Sequence, residues 1–394
     1  MEPSRTARVV VVGGGIVGSC CALELRRAGH VGPITVVEMD ASYARSSTAL
    51  SAASIRTQFA PPTSIAMSLH AIDLFRRLGD YVGDHAADIG YVERGYLILG
   101  EPHQVHERVA AAAMQRAHGA DVAVLDRDEV HRRFPFLDLD GIAIATFGES
   151  GEGWFDAWSL LSLVRRAARR ERVDYVEQRV VDIHLDGPAQ AVVGVRLGSG
   201  DSLGCDVCVI AAGAQSGRVA ALAGVEVPVV PKKRSVFDFR APVDGAGFPM
   251  LFDTSGLWVR AEGEGFIGGI QPPPHDDPDA DGDFEPHPHL FEEVFWPLVA
   301  QRIPAMDRIR LRGSWAGHYE VNLLDRNGVI GAHDRLTNLL FATGFSGHGL
   351  MHAPATGRGI AELVTTGRFQ TIDLSPFGWD RIRDGRPLVE TIVY

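Results

Sequence analysis

Six consecutive residues, Gly13-Gly14-Gly15-Ile16-Val17-Gly18, and a carboxylate at Glu38 carry the most specific chemistry in this chain. Gly13 permits a tight turn, Gly15 lets the backbone approach a pyrophosphate, and Gly18 lets a helix pack closely on a strand. The free N–H groups at the helix start, around Ile16 and Val17, face an anion. Glu38 lies about 20 residues past the last glycine, where a carboxylate takes the hydroxyl pair of a ribose. The pattern predicts a dinucleotide site.

That chemistry needs a strand, a turn, a helix and a second strand in register. Val9-Val10-Val11-Val12 supplies the first strand, Ser19 to Ala28 the helix, and Ile34-Thr35-Val36-Val37 the strand ending at Glu38. A third apolar run, Val207 to Ile210, ends in the small residues Ala211, Ala212, Gly213 and Ala214. Near the far end, Leu339 to Thr343 reads as a buried strand entering a glycine turn, Gly344-Phe345-Ser346-Gly347-His348-Gly349. Leu350 then opens a helix whose Ala353, Ala355, Gly357 and Gly359 allow close approach. This is a second helix N-terminus aimed at a ligand, and its dipole favours negative charge there.

These residues together resemble the FAD-dependent amine oxidoreductases related to D-amino acid oxidase, glycine oxidase and monomeric sarcosine oxidase. The resemblance spans nearly the whole chain. It rests on the Gly13-to-Glu38 unit, Gly153-Trp154-Phe155-Asp156, Ala211 to Ser216, and Gly344 to Gly349. Ser54 to Phe59, Trp315 to Tyr319 and Phe369 to Phe377 are similar to segments of the group called FAD-dependent oxidoreductase domain-containing protein 1.

The resemblance implies an α/β fold: a discontinuous Rossmann-type FAD-binding domain from 1–90, 151–225 and 325–375. Residues 91–150 and 226–324 would form a substrate domain on a mostly antiparallel sheet, and 376–394 a C-terminal tail. Noncovalent FAD is implied, held by Gly13, Gly15, Ile16, Val17, Gly18, Glu38, Ser46, Ser47, Val180, Val181, Ala212, Gly213, Gly344, Ser346, Gly347, His348, Gly349 and Leu350. For His348 the backbone is expected to matter more than the ring. The implied reaction oxidises a C–N bond by hydride transfer to flavin N5, giving an imine that hydrolyses. Arg56 would bind a substrate carboxylate, His318 or Tyr319 would bond the substrate, and Trp315 would wall the pocket. The electron acceptor would be O2 or an electron carrier.

Three departures bear on the chemistry. Covalent members attach flavin through a cysteine near Gly317 or a histidine near Ser51, and neither stands here. The oxygen-activating lysine of sarcosine oxidases falls near Ile267. Their second carboxylate-binding lysine aligns with Met351. Two further readings are an assembly or scaffold flavoprotein with little turnover, and a nicotinamide-dependent dehydrogenase using the same fingerprint.

Composition agrees with a globular enzyme. At 394 residues the chain exceeds one ordinary core. Its 45% hydrophobic and 22% charged content are those of a soluble protein. A net charge of -12 argues against nucleic acid or an anionic membrane surface. The stretch from Val9 to Leu23 is too short and glycine-rich to span a bilayer. A first strand by Val9 leaves no room for a signal or transit peptide, so a cytoplasmic location is expected. Cys205 and Cys208 are read as buried apolar residues on opposite faces of a strand, and no metal site is expected. Pro272 to Pro288 reads as an exposed loop. Arg165, Arg166, Arg169 and Arg170 read as a solvated helix face. Lysine occurs only at Lys232 and Lys233, a bias assigned to base composition.

Overall fold

Val9–Val12 is buried on both faces because it lies inside a six-stranded sheet, where parallel neighbours and covering helices leave no wet side. The computed structural model describes residues 2–187, 191–273, 277–280 and 282–390. The sheet runs Val329–Ala332, Leu339–Thr343, Val207–Ile210, Val9–Val12, Ile34–Glu38, Asp174–Glu177. All its pairings are parallel except that of the first two strands. The helix Ile16–Arg27 packs back on this sheet. A Cβ at Gly18 would lie 2.0 Å from the Gly13 carbonyl oxygen, so only glycine allows the approach. The helix Gly349–Thr366 crosses the first helix equally closely, with Gly357 against the Cys20 backbone.

An eight-stranded sheet forms the second layer, in the order Arg310–Asn322, Val229–Arg240, Gly265–Ile270, Leu257–Glu262, Met250–Phe252, Tyr96–Gly100, Ile144–Gly148, Val122–Asp126. It is antiparallel apart from the pairing of Met250–Phe252 with Tyr96–Gly100. Strands from 96–148 and 229–322 therefore share one sheet, strands at 9–12, 34–38, 174–177, 207–210, 329–332 and 339–343 share the other, and Val180–Asp186, Ala191–Leu197 and Ser202–Gly204 form a separate three-stranded antiparallel sheet. This is a Rossmann-type α/β layer joined to a second, mostly antiparallel sheet.

The long pair of Val229–Arg240 with Arg310–Asn322 links the two layers. At its end, Ser346 N–H donates to the Glu320 carbonyl at 3.1 Å and Asn322 N–H donates to Ser346 Oγ at 3.0 Å. These bonds pin the Gly344–Gly349 turn against Gly317–Glu320. The segment after 375 packs rather than trails: Trp379 stacks on Phe341 at 5.1 Å, and Arg381 pairs with Asp325 at 2.8 Å.

Two expectations about side chains are corrected. Cys205 and Cys208 are buried as expected but join one apolar cluster, because Cys205 precedes the strand that starts at Val207 and escapes its alternation. The arginine face is only partly solvated. Arg165 lies 4.2 Å from the Tyr43 ring centroid, Arg169 5.0 Å from that of Tyr175, and Arg170 donates to the Val82 carbonyl. The segment after Pro272 is largely exposed, as expected, but charge pairs tether it, as described below. Among the described residues, no helix is long and apolar enough to cross a membrane.

Candidate active site

A groove runs along the C-terminal edge of the six-stranded sheet. Its walls include Gly13, Gly15, Ile16, Val17, Glu38, Ser46, Ser47, Val180, Val181, Ala212, Gly213, Gly347, Gly349 and Leu350, all expected cofactor residues. The turn is built for close approach: Gly13 has φ +102°, and a Cβ there would lie 2.3 Å from the Ala211 carbonyl oxygen. Gly15, the N-cap, carries no side-chain cap, so the helix end opens into the groove. Within that turn, the Ile16 N–H donates to Thr48 Oγ1 at 3.2 Å. Glu38 is half-buried and also structural, accepting from Gly14 N–H at 2.8 Å and Asp40 N–H at 3.1 Å. Burial raises its pKa, and those backbone donors oppose the rise.

Four expected cofactor residues do not line this groove. Gly18 makes the helix–strand contact, and Gly344, with φ +76°, shapes the turn. Ser346 and His348 line a second chamber instead. The His348 N–H donates to the Phe345 carbonyl at 2.9 Å, so its ring, not its backbone, faces the site.

That chamber lies beside the groove. Arg56, Tyr96, Arg234, Phe252, Trp258 and Met351 are among its walls. Arg56 is buried; it donates to the Gln58 carbonyl and to His348 Nε2, and its guanidinium lies 3.9 Å from the Phe59 ring centroid. Tyr319 sits between the guanidinium groups of Arg56 and Arg234. Burial raises its phenol pKa, and both cations pull it back. Trp315 is not a wall. Its indole N–H ties down the Ser46–Ser54 turn by donating to the Leu50 carbonyl at 2.9 Å.

Ser47, Ser51, His318, Tyr319, Gly347 and Leu350 belong to both cavities. A ligand reaching along the groove meets a second ligand from the chamber only at this junction. The Tyr319 ring packs against Gly347, where a Cβ would come within 2.5 Å of Tyr319 Cε2.

The junction is roofed by residues 277–280 and 282–287. His318 Nε2 donates to the Asp283 carbonyl at 2.6 Å, and the Phe284 ring stacks on it with centroids 3.9 Å apart. Both lysines of the chain hold this roof: Lys232 pairs with Asp279 at 2.8 Å and Lys233 with Asp283 at 2.6 Å. Arg234 grips Asp277 through two 2.8 Å bonds. The composition of the loop suggested solvation, but three adjacent cations on one strand face its aspartates. That charge complementarity was the missed signal. Tyr96, Arg234 and Trp258, also missed, come from separate segments with no shared motif.

With this geometry established, comparison with known proteins is informative. The family description "FAD dependent oxidoreductase" matches residues 8–363. The chain belongs to this family. It is 37% identical to FAD-dependent oxidoreductase domain-containing protein 1 of Xenopus laevis, over 98% of this chain and 85% of that protein. It is 26% identical to the glycine oxidase of Geobacillus kaustophilus, over 95% and 96% of the two chains. The crystal structure of L-proline dehydrogenase from P. horikoshii superposes with a TM-score of 0.86, covering 98% and 100%, at 24% identity.

Membership in a family of FAD-dependent amine and amino-acid oxidoreductases identifies the dinucleotide as FAD and removes the nicotinamide reading. The groove fits it. A helix end whose N-cap, Gly15, has no side chain, a carboxylate at Glu38 and a second helix start at Gly349 match a pyrophosphate, a ribose and an electron-accepting ring.

Proposed function

We propose that this chain oxidises a C–N bond in a small amino acid or N-alkylated amine. The carrying observation is the junction of the two cavities at His318, Tyr319, Gly347 and Leu350. FAD, when bound, supplies the hydride acceptor. In this reading it is held noncovalently. The helix end at Gly15 and Ile16 takes the pyrophosphate, Glu38 the ribose, and the strand at Val180 and Val181 the adenine. Ser46, Ser47, Ala212 and Gly213 line its path, and the helix start at Gly349 and Leu350 faces the ring.

The chain's own residues then do three things. Arg56 orients a substrate carboxylate, because a planar fork holds a carboxylate in one plane. Tyr319 and the roof of Phe284 on His318 confine the reacting carbon and exclude water, so the amine meets the ring in one orientation. Neutral His348 and the cations Arg56 and Arg234 favour a free-base amine over an ammonium, since like charge disfavours protonation. The imine product hydrolyses in water. Electrons leave to O2 or an electron carrier.

We assign 1–90, 151–225 and 325–375 to the FAD-binding domain, and 91–150 with 226–324 to the substrate domain. Four thiols without disulfides accord with a reducing, cytoplasmic setting.

The deciding experiment is anaerobic. Amino acids, N-methylated amino acids and the matching amines without a carboxylate are mixed with the yellow holoprotein, and the flavin bands are followed. Bleaching by a carboxylated amine, and not by its decarboxylated analogue, is expected. Bands that no C–N donor bleaches would overturn the reading.

A further inference from the structure

Glu320 is a buried carboxylate on the wall of the FAD groove, beside the junction. Its partners are all neutral: Thr343 Oγ1 at 2.9 Å, Gly344 N–H at 3.0 Å, and Phe345 N–H. Buried carboxylates ordinarily pair with a cation. Here the charged and titratable groups facing the same groove are Glu38, Arg45, Arg179, Arg218, His318 and Tyr319. On the chamber side, Arg56 and His348 face each other. None of these accounts for the state of Glu320, which burial and the three neutral donors determine.

The carboxylate also stands at the start of the Gly349–Thr366 helix. A Cβ on Gly349 would lie 3.3 Å from Glu320 Oε1. Reduction of FAD puts negative charge at this same helix end, so two like charges would share one positive pole. Protonating Glu320 relieves that conflict. Its hydrogen-bond network accepts either state. Thr343 Oγ1 lies 2.9 Å from Glu320 Oε2 and 2.6 Å from the buried Ser216 Oγ. With Glu320 ionised, Thr343 donates to it and accepts from Ser216. With Glu320 protonated, the carboxyl donates to Thr343 and Thr343 to Ser216. No hydroxyl loses its place in the chain.

We propose that Glu320 is the proton acceptor coupled to FAD reduction. The substrate C–H bond breaks with its electron pair, which passes to FAD as hydride. The Glu320 carboxylate separately takes up one proton from hydronium or buffer acid in the solvent, forming an O–H bond and leaving water or the buffer base, and returns the proton to solvent when the electrons leave. This rests on the reading that the reactive ring lies at the Gly347–Leu350 end of the groove. Burial already pushes the resting carboxyl up to about 7, so the added charge acts on a group near its titration point.

The test is the midpoint potential of bound flavin, measured by dye equilibration across roughly pH 6 to 9. One extra proton per two electrons steepens the slope by about 30 mV per pH unit, a tenfold change in equilibrium per unit. The wild type is expected to show that extra slope in part of the range, and Glu320→Gln to lose it. Equal slopes in two flavin-loaded proteins would overturn the assignment while leaving the FAD reading intact. Wild type that purifies without flavin would overturn both. Should Glu320→Gln not fold, wild-type photoreduction in weakly buffered indicator solution decides. Proton uptake that varies with pH is expected, and a constant count overturns the proposal.

Discussion

Arg56 Nη2 lies 3.2 Å from His348 Nε2, and that contact fixes the state of the histidine. Arginine only donates, so Nε2 must present its lone pair and the ring proton sits on Nδ1. Burial first, then Arg56 and His352, holds the His348 pKa well below the ordinary value. The chamber wall therefore holds the Arg56 cation beside a neutral ring, with the second cation, Arg234, paired to Asp277.

His352 follows the same logic and is the cleaner one to measure. Burial and Arg56 push its pKa down to about 3. In the unfolded chain it takes a proton as pH falls below about 6.5, while the folded chain refuses one. Its contribution is thus present above that pH and lost below it, by up to about 1.4 kcal/mol per pH unit. Urea midpoints should fall from pH 7 to 5, and His352→Leu should lessen the fall. An unchanged pH profile in the variant would show that His352 titrates normally.

Glu38 carries a dual role that separates two substitutions. Glu38→Gln retains an acceptor for Gly14 N–H but removes the charge. It should weaken FAD binding by about 1.5–3 kcal/mol, the scale of a charged hydrogen bond, with the melting temperature of the apoprotein nearly unchanged. Glu38→Ala also orphans the Gly14 N–H and should lower apoprotein stability too. Flavin titration and thermal denaturation of both variants read the difference. Equal apoprotein stability would remove Glu38 from the turn.

The roof over the junction depends on Asp277 and Arg234, whose side chains are each 10% exposed. Removing one partner of such a pair costs about 3–5 kcal/mol, because the remaining charge stays buried. Asp277→Asn should therefore destabilise strongly, and adding Arg234→Met should restore much of the loss. Guanidinium midpoints of the single and double variants check the sign. Additive losses would mean that the two residues act independently.

How much of this was legible depends on distance along the chain. The Gly13-to-Glu38 unit could be read directly, because turn, helix end and carboxylate are set by local spacing. Gly347, Gly349 and Leu350 were legible for the same reason. The chamber was not. Tyr96, Arg234 and Trp258 meet only because strands from distant segments join one sheet, and no local period records that. The roof was legible as an exposed loop, but its tethering was not, because that depends on Lys232, Lys233 and Arg234 lying opposite its aspartates. The place of the His348 ring beside the chamber was not legible by a similar limit: a glycine turn predicts backbone direction, whereas the ring's partner, Arg56, lies 292 residues away.

Arg56 is expected to dock the substrate carboxylate. It lines the chamber beside the junction, where the reacting carbon must lie. Bonds to Gln58 and His348 and the Phe59 ring hold its fork in place, so little ordering remains to be done when a substrate binds. Met351, also on the chamber wall, offers no charge to share the task. Arg56→Ala removes the only proposed anchor for an acidic group and should raise KM by orders of magnitude while leaving the flavin spectrum intact. Arg56→Lys should rescue only partly, since an ammonium is a point charge without a planar fork. Arg234 provides the internal comparison. Its fork is filled by Asp277, so Arg234→Lys should alter stability more than KM. The pair of measurements is decisive: if the best substrate lacks a carboxylate and Arg56→Ala turns it over normally, Arg56 serves only to hold His348.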